Sequence, residues 1–164
     1  METSPLDTPA EIPPGFHAFP GAYGFIGRHS PLYMTLKDGG PDRMGFRVCE
    51  DHCNPLGIAH GGWLATFMDM LLPISGGHQA GLDHFMVTIS LTVDYLAPAK
   101  LGAWVEGEAE LLRRTKSMLF VHGVGRVDDQ PVIRASGTFK IGIQRPPLSE
   151  ALSATIREFG ERAG

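Results

Sequence analysis

The segment from 61 to about 76 constrains this chain more than any other. Trp63, Leu64, Phe67, Met68, Leu71 and Leu72, with Ile74 beyond, are apolar at helical spacing over a wide arc. The spacing predicts a helix buried on nearly every side, and such a helix must be wrapped by the rest of the chain. Pro73 near its end brings no amide donor and is expected to kink or terminate it, with Gly76 and Gly77 marking the exit.

Downstream, 86–96, 104–112, 117–127 and 132–143 read as strands with alternating stretches. The breaks at 97–102, 113–116 and 128–131 are polar or hold Gly or Pro, and their brevity implies antiparallel neighbours, hence a four-stranded meander. Upstream, 32–36 and 44–48 flank the turn-rich 37–42 and predict a hairpin. Hairpin, one buried helix and meander make an α+β fold, in which a single sheet curls around the helix. Pairing the sheet's exposed edge with a second copy would remove an aggregation liability.

Residues 1–20 carry Pro5, Pro9, Pro13, Pro14 and Pro20 and few large apolar side chains. They are expected to form an extended arm with neither ladder nor core. The domain proper is then 21–145, and 146–164 is a tail whose 148–162 portion reads as an amphipathic helix with Ser149 or Ser153 as caps.

At 164 residues the chain is sized for one domain and one site. Eighteen carboxylates outnumber fourteen Lys and Arg, for a net charge of −4, which argues against nucleic acid as a ligand. The N-terminal residues show neither a signal peptide nor a membrane span, so the expected location is the cytoplasm. Cys49 and Cys53 lack the spacing of a metal site, and reduced thiols are expected with no metal.

Chemistry concentrates between Asn54 and Asp69. Asp69 lies between Met68 and Met70, where an ionised carboxylate costs several kcal/mol unless it is paired, hydrogen-bonded or at a solvent-filled cleft. His60-Gly61-Gly62 sits where the helix begins, and the first amides of a helix are unpaired and carry partial positive charge. With no side chain to shield it, the amide of Gly61 or Gly62 is open to a carbonyl oxygen that becomes negative during reaction. Eight residues separate Gly61 from Asp69, about 12 Å along a helix, too far for both to grip one reacting carbon. If both act, antiparallel helices from two subunits would bring Asp69 of one toward Gly61 of the other.

On these residues the chain resembles the hotdog-fold acyl-CoA thioesterases of the phenylacetate-pathway type. Asn54, His60-Gly61-Gly62, Asp69, Thr88 and the segment from Val93 to Lys100 carry the resemblance, which covers roughly 30–143. It implies a long central helix wrapped by a curved antiparallel sheet, a homodimer or a dimer of dimers, and hydrolysis of a small, medium-chain or aromatic acyl-CoA. It further implies that Asn54 and the Gly61 amide polarise the thioester carbonyl, that His60 orients the thioester or leaving thiol, and that Asp69 of the partner subunit acts as base or nucleophile. Thr88 matches a position whose hydroxyl helps hold the attacking water. Coenzyme A enters as part of the substrate, with no separate cofactor.

Substrate contacts are expected from Gly62, from an apolar wall of Trp63, Phe67 and Met70, and from Arg113, Arg114 and Lys116 toward the coenzyme A phosphates. Each residue also has a plain structural reading: Asn54 as a turn residue, His60 as a loop histidine, Thr88 as a strand residue, the basic turn as solvated surface. The rival functions are a hotdog dehydratase or hydratase, a non-catalytic acyl-CoA binding module, and a structural oligomer.

Overall fold

The computed structural model describes residues 11–20, 24–29, 31–38 and 40–144. Its elements in chain order are β1 (His17–Ala18), α1 (Gly24–Arg28), β2 (Tyr33–Lys37), β3 (Gly40–Arg47), a 3-10 turn (Glu50–His52), α2 (Gly61–Gln79), β4 (His84–Tyr95), β5 (Trp104–Arg114), β6 (Met118–Val127) and β7 (Gln130–Gln144). The strands form one seven-stranded antiparallel sheet in the order β1-β2-β3-β5-β6-β7-β4. One long helix held against a single antiparallel sheet is the hotdog arrangement expected from the sequence.

Helix α2 lies across β5 and β6 and buries Trp63, Leu64, Phe67, Met68, Leu71 and Leu72. Close approach of helix to sheet requires glycine beneath it: a Cβ on Gly107 of β5 would stand 2.6 Å from the Leu71 side chain and 3.1 Å from the Phe67 ring. The helix is not buried on every side, however. Gly62, Thr66, Asp69 and Pro73 fall within about 60° of one another around its axis, and this stripe is exposed at Gly62 and half-buried at the rest.

Three expectations are corrected. The helix neither stops nor is shortened at Pro73 and runs to Gln79; the cost is local, since Pro73 offers no amide to the carbonyl of Asp69 four residues back. The strands do not make a four-stranded meander, because β4 pairs with β7 at the sheet's edge while β5 pairs with β3. The connection after β4 is no hairpin turn, as its polar groups are spent elsewhere: Ala99 accepts from the Ala59 amide at 2.7 Å, while Leu101 and Gly102 donate to Gly57 and Val48. Those bonds carry the chain past the start of α2 to the middle of the sheet, where β5 lies between β3 and β6. Third, the described part of the N-terminal arm does join both ladder and core. His17 and Ala18 pair with Met34 and Tyr33, Phe16 and Phe19 are buried, and the Phe16 ring meets Trp104 edge-on at 5.0 Å. Aromatic payload outweighed proline content there. The expected C-terminal helix lies outside the described residues.

Candidate active site

Asp69 and Thr88 meet directly. The side chains project from the open stripe of α2 and from β4, and the Thr88 hydroxyl donates to Asp69 Oδ1 at 2.7 Å. Thr88 is therefore a carboxylate-holding residue, not merely a strand residue, and its oxygen lone pairs remain able to accept from a water. The second carboxylate oxygen has no partner among the described residues.

The start of α2 presents one free amide. His60 is the N-cap: its Nδ1 accepts from the Gly62 amide at 2.9 Å, and its carbonyl accepts from the amides of Trp63 and Leu64 at 2.9 and 3.1 Å. Among the first four amides only Gly61's lacks a partner among the described residues, so of the two glycine donors expected from the sequence Gly62's is occupied. Because Nδ1 accepts, the neutral ring carries its proton on Nε2, a donor directed away from the cap. The His60 backbone is itself pinned, donating to His52 O at 2.7 Å.

Asn54 shapes the preceding loop. Its Oδ1 accepts from the Leu56 amide at 2.9 Å and its carbonyl from the Gly57 amide at 2.9 Å, closing a turn in which Gly57 takes a positive φ of 69°. The plain turn reading thus holds for the oxygen, while the side-chain NH2 has no partner among the described residues and remains a donor.

A groove of about 300 Å³ opens along the same end of α2, bounded by His60, Gly62, Trp63, Thr66, His29 and Phe25. Trp63 forms its floor, stacked on His52 with ring centroids 4.4 Å apart and planes 6° from parallel. His52 is 1% exposed; Nδ1 accepts from Cys49 N and Nε2 lies 2.6 Å from the His29 carbonyl, so its ring is a structural strut. Burial lowers its pKa below the ordinary value. Cys53 also borders the groove, and burial, reinforced by Cys49 and Glu50, pushes its thiol up, which leaves it a poor nucleophile.

The remaining expected contacts divide. Phe67 is fully buried beneath the helix, 5.0 Å from Phe46, and reaches no groove; its helical position points it at the sheet. Arg114 donates to the Ala80 carbonyl at 2.7 Å, closing the C-terminal end of α2, and is engaged there as a cap. Arg113, near the end of β5, and Lys116, in the turn that follows, are exposed, with no side-chain partner among the described residues. This basic turn lies at the opposite end of α2 from His60, so within one chain it does not meet the helix start. Sequence reasoning left Tyr95 without a role: its hydroxyl donates to the Gly61 carbonyl at 3.0 Å. Among the described residues no group of three or more His, Cys, Asp or Glu is placed to hold a metal ion, and no helix is long and apolar enough to cross a membrane.

The chain thus provides a carboxylate held by a hydroxyl and, about 12 Å away at the start of the same helix, an unpaired amide and an imidazole N–H. Such a set can activate water and stabilise a developing oxyanion.

Residues 56–133 match the thioesterase superfamily model. A Pseudomonas aeruginosa protein named "Putative esterase PA0474" is 32% identical over 95 residues, which are 58% of this chain and 71% of that one. Mouse acyl-coenzyme A thioesterase 13 is 30% identical over 93 residues, 53% of this chain and 63% of that protein's length. Among solved structures, a hypothetical thioesterase of Streptococcus pneumoniae with coenzyme A superposes with a TM-score of 0.61 at 23% identity, over 70% of this chain and 88% of that one.

Proposed function

Because the chain belongs to the thioesterase superfamily and is a thioester hydrolase, we propose that it hydrolyses acyl-CoA thioesters at a site shared between two subunits. The substrate class is supported by the coenzyme A ester named in the mouse relative and the coenzyme A in the Streptococcus structure. A small or aromatic acyl group, or a medium chain, suits a groove of about 300 Å³ walled by Phe25, His29 and Trp63. Arg113 and Lys116, whose side chains have no partner among the described residues, would meet the nucleotide phosphates, brought near a partner's helix start if two α2 helices run antiparallel. The reading puts the enzyme in the cytoplasm, where Cys49 and Cys53, both free, would stay reduced.

The observation that carries the reading is that the two halves of the chemistry are each built, yet apart. Asp69 is held by Thr88, and the Gly61 amide is free, but about 12 Å of helix separates them. A homodimer, or a dimer of such dimers, joins Asp69 of one protomer to Gly61 of the other. Strand β4 ends the sheet among the described residues, and Val87 and Ile89, each more than half exposed, add apolar surface for that pairing.

In the proposed reaction Asp69 takes a proton from water as the water oxygen attacks the thioester carbon. The Gly61 amide and the Asn54 side-chain NH2 donate to the carbonyl oxygen as it becomes anionic. Collapse breaks the carbon–sulfur bond, and the proton on Asp69 passes to the departing sulfur, with His60 Nε2–H donating to it, to give free acid and coenzyme A.

The test is thiol release from a panel of short, long and aromatic acyl-CoA esters by wild type and Asp69→Asn, with folding and assembly matched. Loss of a robust rate by orders of magnitude is expected. An unchanged rate removes Asp69 from the chemistry, and tight acyl-CoA binding with no wild-type turnover overturns the proposal in favour of a binding module.

A further inference from the structure

We propose that Tyr95 is a positioning residue for His60, acting through the peptide group between Gly61 and Gly62. The inference rests on the reading above, in which His60 serves the thioester through Nε2.

The peptide joining Gly61 to Gly62 is one planar, resonant unit. Its carbonyl oxygen accepts from the Tyr95 hydroxyl at 3.0 Å, and its N–H, the amide of Gly62, donates to His60 Nδ1 at 2.9 Å. The bonds form a series: phenol to carbonyl, through the peptide, amide to imidazole, with the Nε2 proton at its end. A donor on the carbonyl draws electron density toward oxygen and makes the N–H a stronger donor, so each link reinforces the next. The result is an imidazole fixed in one tautomer and one ring orientation, its remaining N–H available.

Both glycines are explained by this series. A Cβ on Gly61 would stand 3.2 Å from the Tyr95 ring, and a Cβ on Gly62 would stand 3.1 Å from His60 Nδ1. Either methyl would press apart one link, so the Gly61-Gly62 pair admits a ring on each side of the same peptide. The backbone beneath is otherwise anchored, through His60 N to His52 O and through Ala59 N to Ala99 O, both 2.7 Å. The His60 ring extends from this anchored backbone, and the series holds its Nδ1 side. Strand β4 then acts on both candidate groups of α2, holding Asp69 through Thr88 and the helix start through Tyr95.

The decisive variant is Tyr95→Phe in the full chain, which keeps the ring that packs on Gly61 and removes only the hydroxyl. Imidazole 15N resonances of wild type should show His60 with Nδ1 bare and Nε2 protonated. In Tyr95→Phe they should move toward a mixture of tautomers, and kcat should fall about fivefold to tenfold, the equivalent of one neutral hydrogen bond, with KM within about twofold. In a His60→Ala background, adding Tyr95→Phe should cost less than about twofold more, because Tyr95 acts through the ring already removed. An unchanged His60 tautomer in Tyr95→Phe overturns the inference whatever happens to kcat, and so does a full, independent loss in the His60→Ala background. Should no acyl-CoA be turned over at all, the proposed function falls while the 15N spectra still decide the role of Tyr95.

Discussion

The hydroxyl of Thr88 donates to Oδ1 of Asp69 at 2.7 Å, joining the edge strand of the sheet to the uncovered stripe of the central helix. A hydrogen bond to an ionised group contributes about 1.5–3 kcal/mol, which corresponds to roughly 10- to 100-fold in rate if it is felt in the transition state. Thr88→Ala should therefore lower kcat on the best acyl-CoA ester by that range with KM little changed. Thr88→Ser, which keeps the hydroxyl, should stay within about threefold. Steady-state kinetics of both variants check this, and equal activity of Ala and wild type would reduce Thr88 to a bystander.

The basic turn between β5 and β6 divides by partner. Arg114 is committed to the Ala80 carbonyl at 2.7 Å, whereas Arg113 and Lys116 are exposed. Arg114→Ala should cost less than about 1 kcal/mol of stability, as an exposed helix-end contact does, with KM unchanged. Arg113→Ala and Lys116→Ala should raise KM for coenzyme A esters several-fold, most strongly at low salt, without altering the melting temperature. A KM increase in Arg114→Ala equal to the other two would place that guanidinium on the substrate instead.

His52 gives the fold a pH dependence whose sign is set by burial. Its folded pKa is lowered from 6.5, first by desolvation. As pH falls through about 6.5 the unfolded chain gains a proton that the folded chain refuses until lower pH, so the unfolded state binds more protons and stability falls. Urea unfolding from about pH 7.5 to about pH 5 should show this loss in wild type, and His52→Gln should show a shallower one. Parallel slopes in the two proteins would exclude His52 as the source.

Much of this architecture was legible because periodicity reports burial. The apolar spacing of α2 and the alternation of β5, β6 and β7 fixed element type, and Asp69 stood out as a carboxylate among methionines. Strand order was not legible, since the link at 97–102 is as short as a hairpin turn and only its hydrogen bonds to Gly57, Ala59 and Val48 reveal a crossing. Composition also misjudged Phe16 and Phe19, two rings that tie a proline-rich segment to the core. Pairings distant in sequence, Thr88 with Asp69 and Tyr95 with Gly61, have no local signature. The resemblance supplied Thr88 as a candidate, but no pattern pointed to the Tyr95 hydroxyl.

Pro73 sits inside α2 on the same stripe as Asp69, and the helix continues past it to Gln79. Proline in a helix interior is about 3 kcal/mol less favourable than alanine, and here it also leaves the Asp69 carbonyl without its intrahelical donor. Pro73→Ala supplies that donor and should raise the unfolding free energy by about 1–3 kcal/mol, read from urea denaturation at constant m-value. Because Thr88, rather than the helix backbone, holds the Asp69 carboxylate, kcat should change by less than about threefold. A fall in stability would mean that the proline ring on the open stripe packs against something whose loss outweighs the recovered hydrogen bond, and a second subunit is the surface to examine, by comparing the oligomeric state of variant and wild type.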